Sequence, residues 1–135
     1  MRHTAQMLQT HPNPRPSALN DIADCIDILQ ACTQTCLSCA DADLGESELK
    51  QMVRCIRLNH DCADVCATAA RLLSRPSMIA PEIWLAQLQA CITACRACAE
   101  ECQQHAQHHE HCRMCADTCR QCIAACTDVV DMIRH

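Results

Sequence analysis

The sequence has very few of the residues that usually fill a protein core or form tight turns. Its 135 residues include one tryptophan, Trp84, and no phenylalanine or tyrosine, so any core must be built from smaller side chains. A single glycine argues against sheets joined by tight hairpins. Clusters of basic and aromatic residues, which are typical of nucleic-acid surfaces, are also missing. We therefore expect no nucleic-acid partner.

Long apolar stretches are missing as well. The N-terminal segment MRHTAQMLQTHPNPRP lacks the apolar region of a secretory signal, and no later stretch is long enough to span a membrane. We therefore expect a cytoplasmic protein with no membrane partner, in a compartment where thiols stay reduced. There is no glycine-rich phosphate loop and no Ser/His/Asp pattern, so we expect no enzymatic activity.

What the sequence does have is cysteine, at sixteen of its 135 positions. The densest run, from Cys112 to Cys126, has cysteines separated by alternating steps of three and four residues. On an α-helix this spacing places all of them on one face. The same alternation marks the stripe of a helix that packs against other helices. We call this stripe the seam.

Seams recur through the chain and predict four long helices, at about 18–41, 46–74, 81–105 and 109–133. We expect Ser17 to cap the first helix and Asp41–Gly45 to form the turn after it. Short connections predict an all-α, antiparallel up-down-up-down four-helix bundle over residues 17–135. Residues 1–16 would form an N-terminal extension, including a short helix.

An antiparallel arrangement brings all sixteen cysteines into one slab roughly 15–20 Å long. Beyond one end of the slab the seams become apolar, at Trp84, Leu88, Val129 and Ile133. Beyond the other end lie histidines, close to the connection that precedes Cys112. The sequence therefore predicts a closed apolar end and an open end with metal-binding side chains.

A column of thiols has several chemical interpretations. Cysteine can act as a small buried hydrophobe, which would account for one or two positions. Disulfides need Cα atoms ~4.4–6.8 Å apart, so only selected pairs could close. Four cysteine pairs have the CxxC spacing of a thiol redox protein, but only Cys112 lies near a helix start, which disfavours this alternative. A zinc or cadmium thiolate buffer remains a further alternative.

Charge favours Cu(I) among the metals. Thiolates are soft ligands that select Cu(I), zinc and iron–sulfur clusters. A zinc ion bound by four thiolates leaves two negative charges buried, and burying charge is costly. With Cu(I), bridging thiolates allow about one ion per cysteine, so the buried charges nearly cancel.

This cysteine-lined four-helix bundle resembles the bacterial copper storage proteins, over essentially residues 18–134. The histidine-rich segment 105–115, HAQHHEHCRMC, and an N-terminal segment without the apolar region of a secretory signal resemble the cytosolic branch of that family. The resemblance implies storage of many Cu(I) ions inside the bundle and a homotetrameric assembly. The cysteines that match the four ligand-bearing helices are Cys25, Cys32, Cys36 and Cys39; Cys55, Cys62 and Cys66; Cys91, Cys95, Cys98 and Cys102; and Cys112, Cys115, Cys119, Cys122 and Cys126.

Four other side chains are candidate copper ligands. His105 extends a seam directly after Cys102, and His109 and His111 flank the start of the last helix. Neutral imidazoles there would be ligands at the open end. Asn59 replaces an apolar residue on its seam, where its carbonyl oxygen could contact a metal or its polarity could fix the helix register.

Overall fold

The computed structural model describes residues 2–14 and 16–135, and within them the chain forms five helices and no strand. The predicted all-α class is confirmed, with a short N-terminal helix before four long ones. Met1 and Arg15, which belong to the predicted extension, lie outside the described residues. No helix in the described part of the chain has an apolar stretch that would span a bilayer. The helix bounds are α1 Arg2–Gln9, α2 Pro16–Leu44, α3 Leu49–Leu73, α4 Pro81–His105 and α5 Glu110–Arg134.

The two ends of α2 differ from the prediction. The helix begins at Pro16, because proline suits a first turn, where its missing N–H would have had no partner. Ser17 therefore lies inside the helix, and its predicted role as the N-cap is wrong. At the other end the helix continues to Leu44, so the predicted turn at Asp41–Gly45 begins too early. As a result Asp43 is helical, and its side chain is fully buried.

The four long helices pack in a square. Helix α2 packs against α3 and α5, and α4 packs against the same two neighbours. The seam of each helix therefore faces the axis of the bundle. The short helix α1 packs on α2, where Leu8 is buried and the Thr4 hydroxyl donates a hydrogen bond to Asp27 Oδ1 at 2.5 Å.

Apolar side chains close the end of the bundle where α4 begins and α5 ends. Trp84, Leu88 and Val129 are buried, and Ile133 is half-buried. We call these four residues the plug. None of these four side chains carries a sulfur, imidazole or carboxylate, so the plug itself offers no metal ligand.

Replacing a plug residue should destabilise the copper-free bundle. Leu88→Ala removes a side chain that has no exposed surface, which costs about 2–5 kcal/mol in lost burial and cavity formation. Leu44→Ala is the matched control, because Leu44 is 57% exposed and such changes stay within ~0.5 kcal/mol. Chemical denaturation of the reduced proteins, followed by circular dichroism, measures both. Equal losses in the two variants would contradict a packed plug.

Candidate metal centre

All sixteen cysteines, which lie within the described residues, are buried free thiols. The nearest sulfur pairs stand 3.6 Å apart, for example Cys55 with Cys102 and Cys62 with Cys95. A disulfide would need ~2.0 Å, so the stapled-bundle alternative does not describe this structure. The sulfurs instead line the bundle axis continuously. We call this arrangement the thiol column.

The column follows the register that the spacing predicts. At its deep end, next to the plug, the sulfurs of Cys25 and Cys126 are 4.0 Å apart. At its shallow end the corresponding pair is Cys39 and Cys112, also 4.0 Å apart. Residues at matching depths on antiparallel helices therefore meet, as in an up-down-up-down bundle.

Neighbouring sulfurs form groups that overlap along the column. Three groups of four have all their sulfur atoms within 4.8 Å of one another. Because Cys32, Cys36 and Cys119 each belong to two groups, one sulfur can face two metal positions at once. The groups are Cys32, Cys66, Cys95 and Cys122; Cys32, Cys36, Cys62 and Cys119; and Cys36, Cys98, Cys115 and Cys119.

Asn59 is the only asparagine that the structure buries completely among its described residues, and it lies inside the column. Its Oδ1 accepts hydrogen bonds from the thiols of Cys98 at 3.0 Å and Cys115 at 3.2 Å. Its Nδ2 donates to the sulfur of Cys55 at 3.6 Å. A buried polar side chain needs such partners, and here thiols supply them. The amide oxygen therefore lies where it could replace a sulfur as a ligand.

The three candidate histidines lie together at the open end, but they have different partners. His111 Nδ1 lies 3.4 Å from the sulfur of Cys39 and 3.6 Å from that of Cys112. His109 contacts the Glu46 carboxylate, and its ring centroid is 5.6 Å from that of His111. His105 Nε2 lies 2.9 Å from Glu101 Oε2, so this nitrogen faces a carboxylate.

Three acidic side chains complete this end, and the sequence analysis missed all of them. Asp43 has no exposed surface, and its Oδ2 has no hydrogen-bond partner among the described residues. Glu46 contacts His109 and His111, and Glu101 contacts His105 and Arg54. Asp43 could have been found, because it follows Cys39 by four residues and so continues the seam of α2. We call the end lined by Asp43, Glu46 and the three histidines the mouth.

Hydrogen bonds between thiols shift their pKa values in opposite directions. The hydrogen bond with Cys126, and then burial, raises the pKa of the Cys25 thiol. Hydrogen bonds from Cys122 and Cys25 lower the pKa of Cys126, since a thiolate accepts them better than a thiol does. Within this pair, Cys126 therefore gives up its proton more readily than Cys25 does.

The carboxyl of Asp43 is shifted as well. Burial, and then a hydrogen bond with Cys55, raises the pKa of Asp43 to about 8. At neutral pH the metal-free protein therefore holds this group mainly in its neutral, protonated form. A cation bound beside it would favour the ionised form.

Comparisons with known proteins agree with this geometry. The family model described as copper storage protein, Csp, matches residues 18–131. The chain is 41% identical to the copper storage protein Ccsp from Streptomyces lividans, in a structure loaded with 10 copper equivalents; the match covers 95% of this chain and 98% of that one, with a TM-score of 0.91.

Two further relatives extend the comparison. A structure of a cytosolic copper storage protein from Streptomyces lividans with five coppers is 45% identical, covers 83% of this chain and 93% of that one, and has a TM-score of 0.81. The uncharacterized cysteine-rich protein YhjQ of Bacillus subtilis (strain 168) is 36% identical over 105 residues, which is 78% of this chain and 88% of that protein. On the extent of the family match and of these similarities, the chain belongs to the copper storage protein family.

Proposed function

We propose that this protein stores Cu(I) in the cytoplasm by binding it to all sixteen cysteines of the thiol column, as cargo and not as a catalytic cofactor. The observation that carries the proposal is the continuous run of buried free thiols in overlapping groups. The cytoplasmic location is supported by the relative described as a cytosolic copper storage protein. A catalytic role is not part of the proposal, because storage needs retention of the ion and no turnover.

The shared sulfurs support a capacity of about one Cu(I) per cysteine. A thiolate that bridges two univalent ions lets ions and sulfurs approach equal numbers, which keeps the buried column near neutral charge. Zinc in four-thiolate sites would leave excess negative charge where water cannot reach it. Copper is therefore the cargo that this buried set of ligands favours.

We propose that copper enters at the mouth and moves towards the plug. His111 already contacts two sulfurs of the shallow end, so an ion held by its imidazole has thiolates within reach. His105 and His109 would act as further temporary ligands once released from Glu101 and Glu46. Asn59 lies one step deeper, where its amide oxygen would serve as a ligand beside Cys98 and Cys115.

Filling the column should release about one proton per cysteine, because Cu(I) binds the thiolate and the copper-free thiols are mostly protonated. Anaerobic titration of the reduced protein in weak buffer should therefore give a capacity of about sixteen Cu(I) per chain and a matching acidification. For the same reason the apparent Cu(I) affinity should rise with pH below the thiol pKa values. A capacity of about four Zn(II) and no more than a few Cu(I) would favour the zinc-buffer alternative.

Removing the histidines and removing the deep thiols should have opposite effects. A variant with His105, His109 and His111 changed to Ala should take up copper more slowly, because the temporary ligands are lost, while capacity falls by at most about three ions. His60→Ala is the control, since His60 is exposed on α3. Stopped-flow loading measures the initial rates.

The complementary variant changes Cys25, Cys66, Cys91 and Cys126 to Ala. Its capacity should fall by about four ions, and its initial uptake rate should stay close to that of the unchanged protein. If this variant is the slow one and the histidine variant loads normally, copper enters at the plug end and the proposed direction is wrong.

We also propose that the chain assembles as a homotetramer, as the family resemblance implies. An apolar groove between α3 and α4, lined by Leu58 and several alanines that include Ala90, supports an interface there. Ala90→Glu would place a charge in this groove and should reduce the mass measured by sedimentation. Gln121→Glu on the exposed face of α5 is the control and should not. A monomeric unchanged protein would contradict the assembly.

A further inference from the structure

At the mouth, four side chains of different chemical types point at one position. They are two thiols, Cys39 and Cys112, the imidazole of His111 through Nδ1, and the carboxylate of Asp43. Their donor atoms come from α2 and α5, and all lie within 4.8 Å of one another. This set differs from the deeper groups, which consist of sulfur alone.

The six distances between these donors define a tetrahedron. The two sulfurs are 4.0 Å apart, and His111 Nδ1 is 3.4 Å from Cys39 Sγ and 3.6 Å from Cys112 Sγ. Asp43 Oδ1 is 4.0 Å from Cys39 Sγ, 3.5 Å from Cys112 Sγ and 3.5 Å from His111 Nδ1.

These separations match those of a tetrahedral zinc site. With zinc bonds of ~2.3 Å to sulfur and ~2.0–2.1 Å to nitrogen and oxygen, the edges would be ~3.8 Å between sulfurs, ~3.5 Å from sulfur to nitrogen or oxygen, and ~3.3 Å from nitrogen to oxygen. Each observed edge lies within about 0.5 Å of its expected value. The site would close around the ion with small side-chain movements.

The charges also favour a divalent ion. Two thiolates and one carboxylate carry three negative charges, so one divalent cation leaves one charge, whereas a single Cu(I) ion would leave two. A carboxylate oxygen is moreover a hard ligand that suits zinc better than soft, univalent copper. A zinc ion in a deeper four-sulfur group would leave two charges in a fully buried position, whereas the His111 side chain at the mouth is 29% exposed.

Two further observations point to a ligand at this position. Asp43 is completely buried, and its Oδ2 lacks a hydrogen-bond partner among the described residues. Glu46 Oε2 lies 3.4 Å from His111 Nε2, the ring nitrogen directed away from the sulfurs. A carboxylate behind a histidine is the usual support of a zinc-binding imidazole, because it fixes the ring and its tautomer.

We propose that Cys39, Asp43, His111 and Cys112 form a binding site for one Zn(II) ion at the mouth, with Glu46 as a positioning residue for His111. This site goes beyond copper storage. It binds a divalent ion and needs no copper in the column.

The first test identifies the atoms that bind a single zinc ion. The reduced, copper-free full-length protein is given one equivalent of Zn(II) per chain without oxygen, and X-ray absorption at the zinc edge counts the donors. We expect two sulfur and two nitrogen or oxygen neighbours. Four sulfur neighbours would mean that the ion prefers the deeper groups and would overturn the proposal.

The second test compares zinc affinities by competition with a chromophoric chelator. Glu46→Gln should weaken binding of the first zinc about 10–100-fold, the usual loss on removing such a support, and Asp43→Asn should weaken it at least as much. Glu101→Gln is the matched control, since Glu101 pairs with His105 at the same end, and it should bind zinc normally.

Circular dichroism checks that each variant folds. If Asp43→Asn fails to fold, the donor count of the unchanged protein and the partly exposed Glu46 variant decide the matter. Unchanged zinc affinity in Glu46→Gln and in a folded Asp43→Asn would overturn the site. Because none of these experiments contains copper, their outcome is separate from that of copper loading.

Discussion

The structure depends on keeping sixteen buried sulfur atoms electrically neutral. A protonated thiol is a small apolar group that a helix seam can bury, but a thiolate away from water needs a cation beside it. The same positions can therefore hold a stable core without metal and a ligand set with metal. Exchange of protons for univalent ions would change the contents of the column and nearly preserve its charge. The one aromatic side chain of the core, Trp84, lies in the plug and not among the sulfur atoms of the column.

The two ends of the bundle carry side chains of different chemical types. At the plug, Leu88 and Val129 are packed without exposed surface, and they offer nothing that an ion could bind. At the mouth, carboxylates and imidazoles contact one another and the first sulfurs of the column. Asp43 lies between these two regions, because it shares the seam of α2 with the thiols but carries carboxylate oxygens. The side chains of the mouth would therefore be the first to distinguish hard metal ions from soft ones.

Most of the fold could be predicted from the sequence, because a seam with steps of three and four residues determines both the helix and the face that it buries. The copper storage family predicted from the cysteine pattern is confirmed. Most of the errors lie where periodicity gives no information; the exception is Asp43, which continues the seam of α2 four residues after Cys39. Ser17 has the chemistry of an N-cap, yet Pro16 can begin the helix. Glu46 and Glu101 were missed because a surface carboxylate and one that supports a histidine are identical in sequence.

The scarcity of aromatic residues has a practical consequence. Trp84 is the single indole of the chain, tyrosine and phenylalanine are absent, and its side chain is 2% exposed within the plug. Cys91 follows seven residues later on α4, about 10 Å along the helix axis. Ultraviolet fluorescence of this protein therefore arises from one place, the closed end, and carries no signal from the mouth. Trp84 is therefore an intrinsic fluorescent probe of the deep end of the thiol column, which an ion entering at the mouth would reach last.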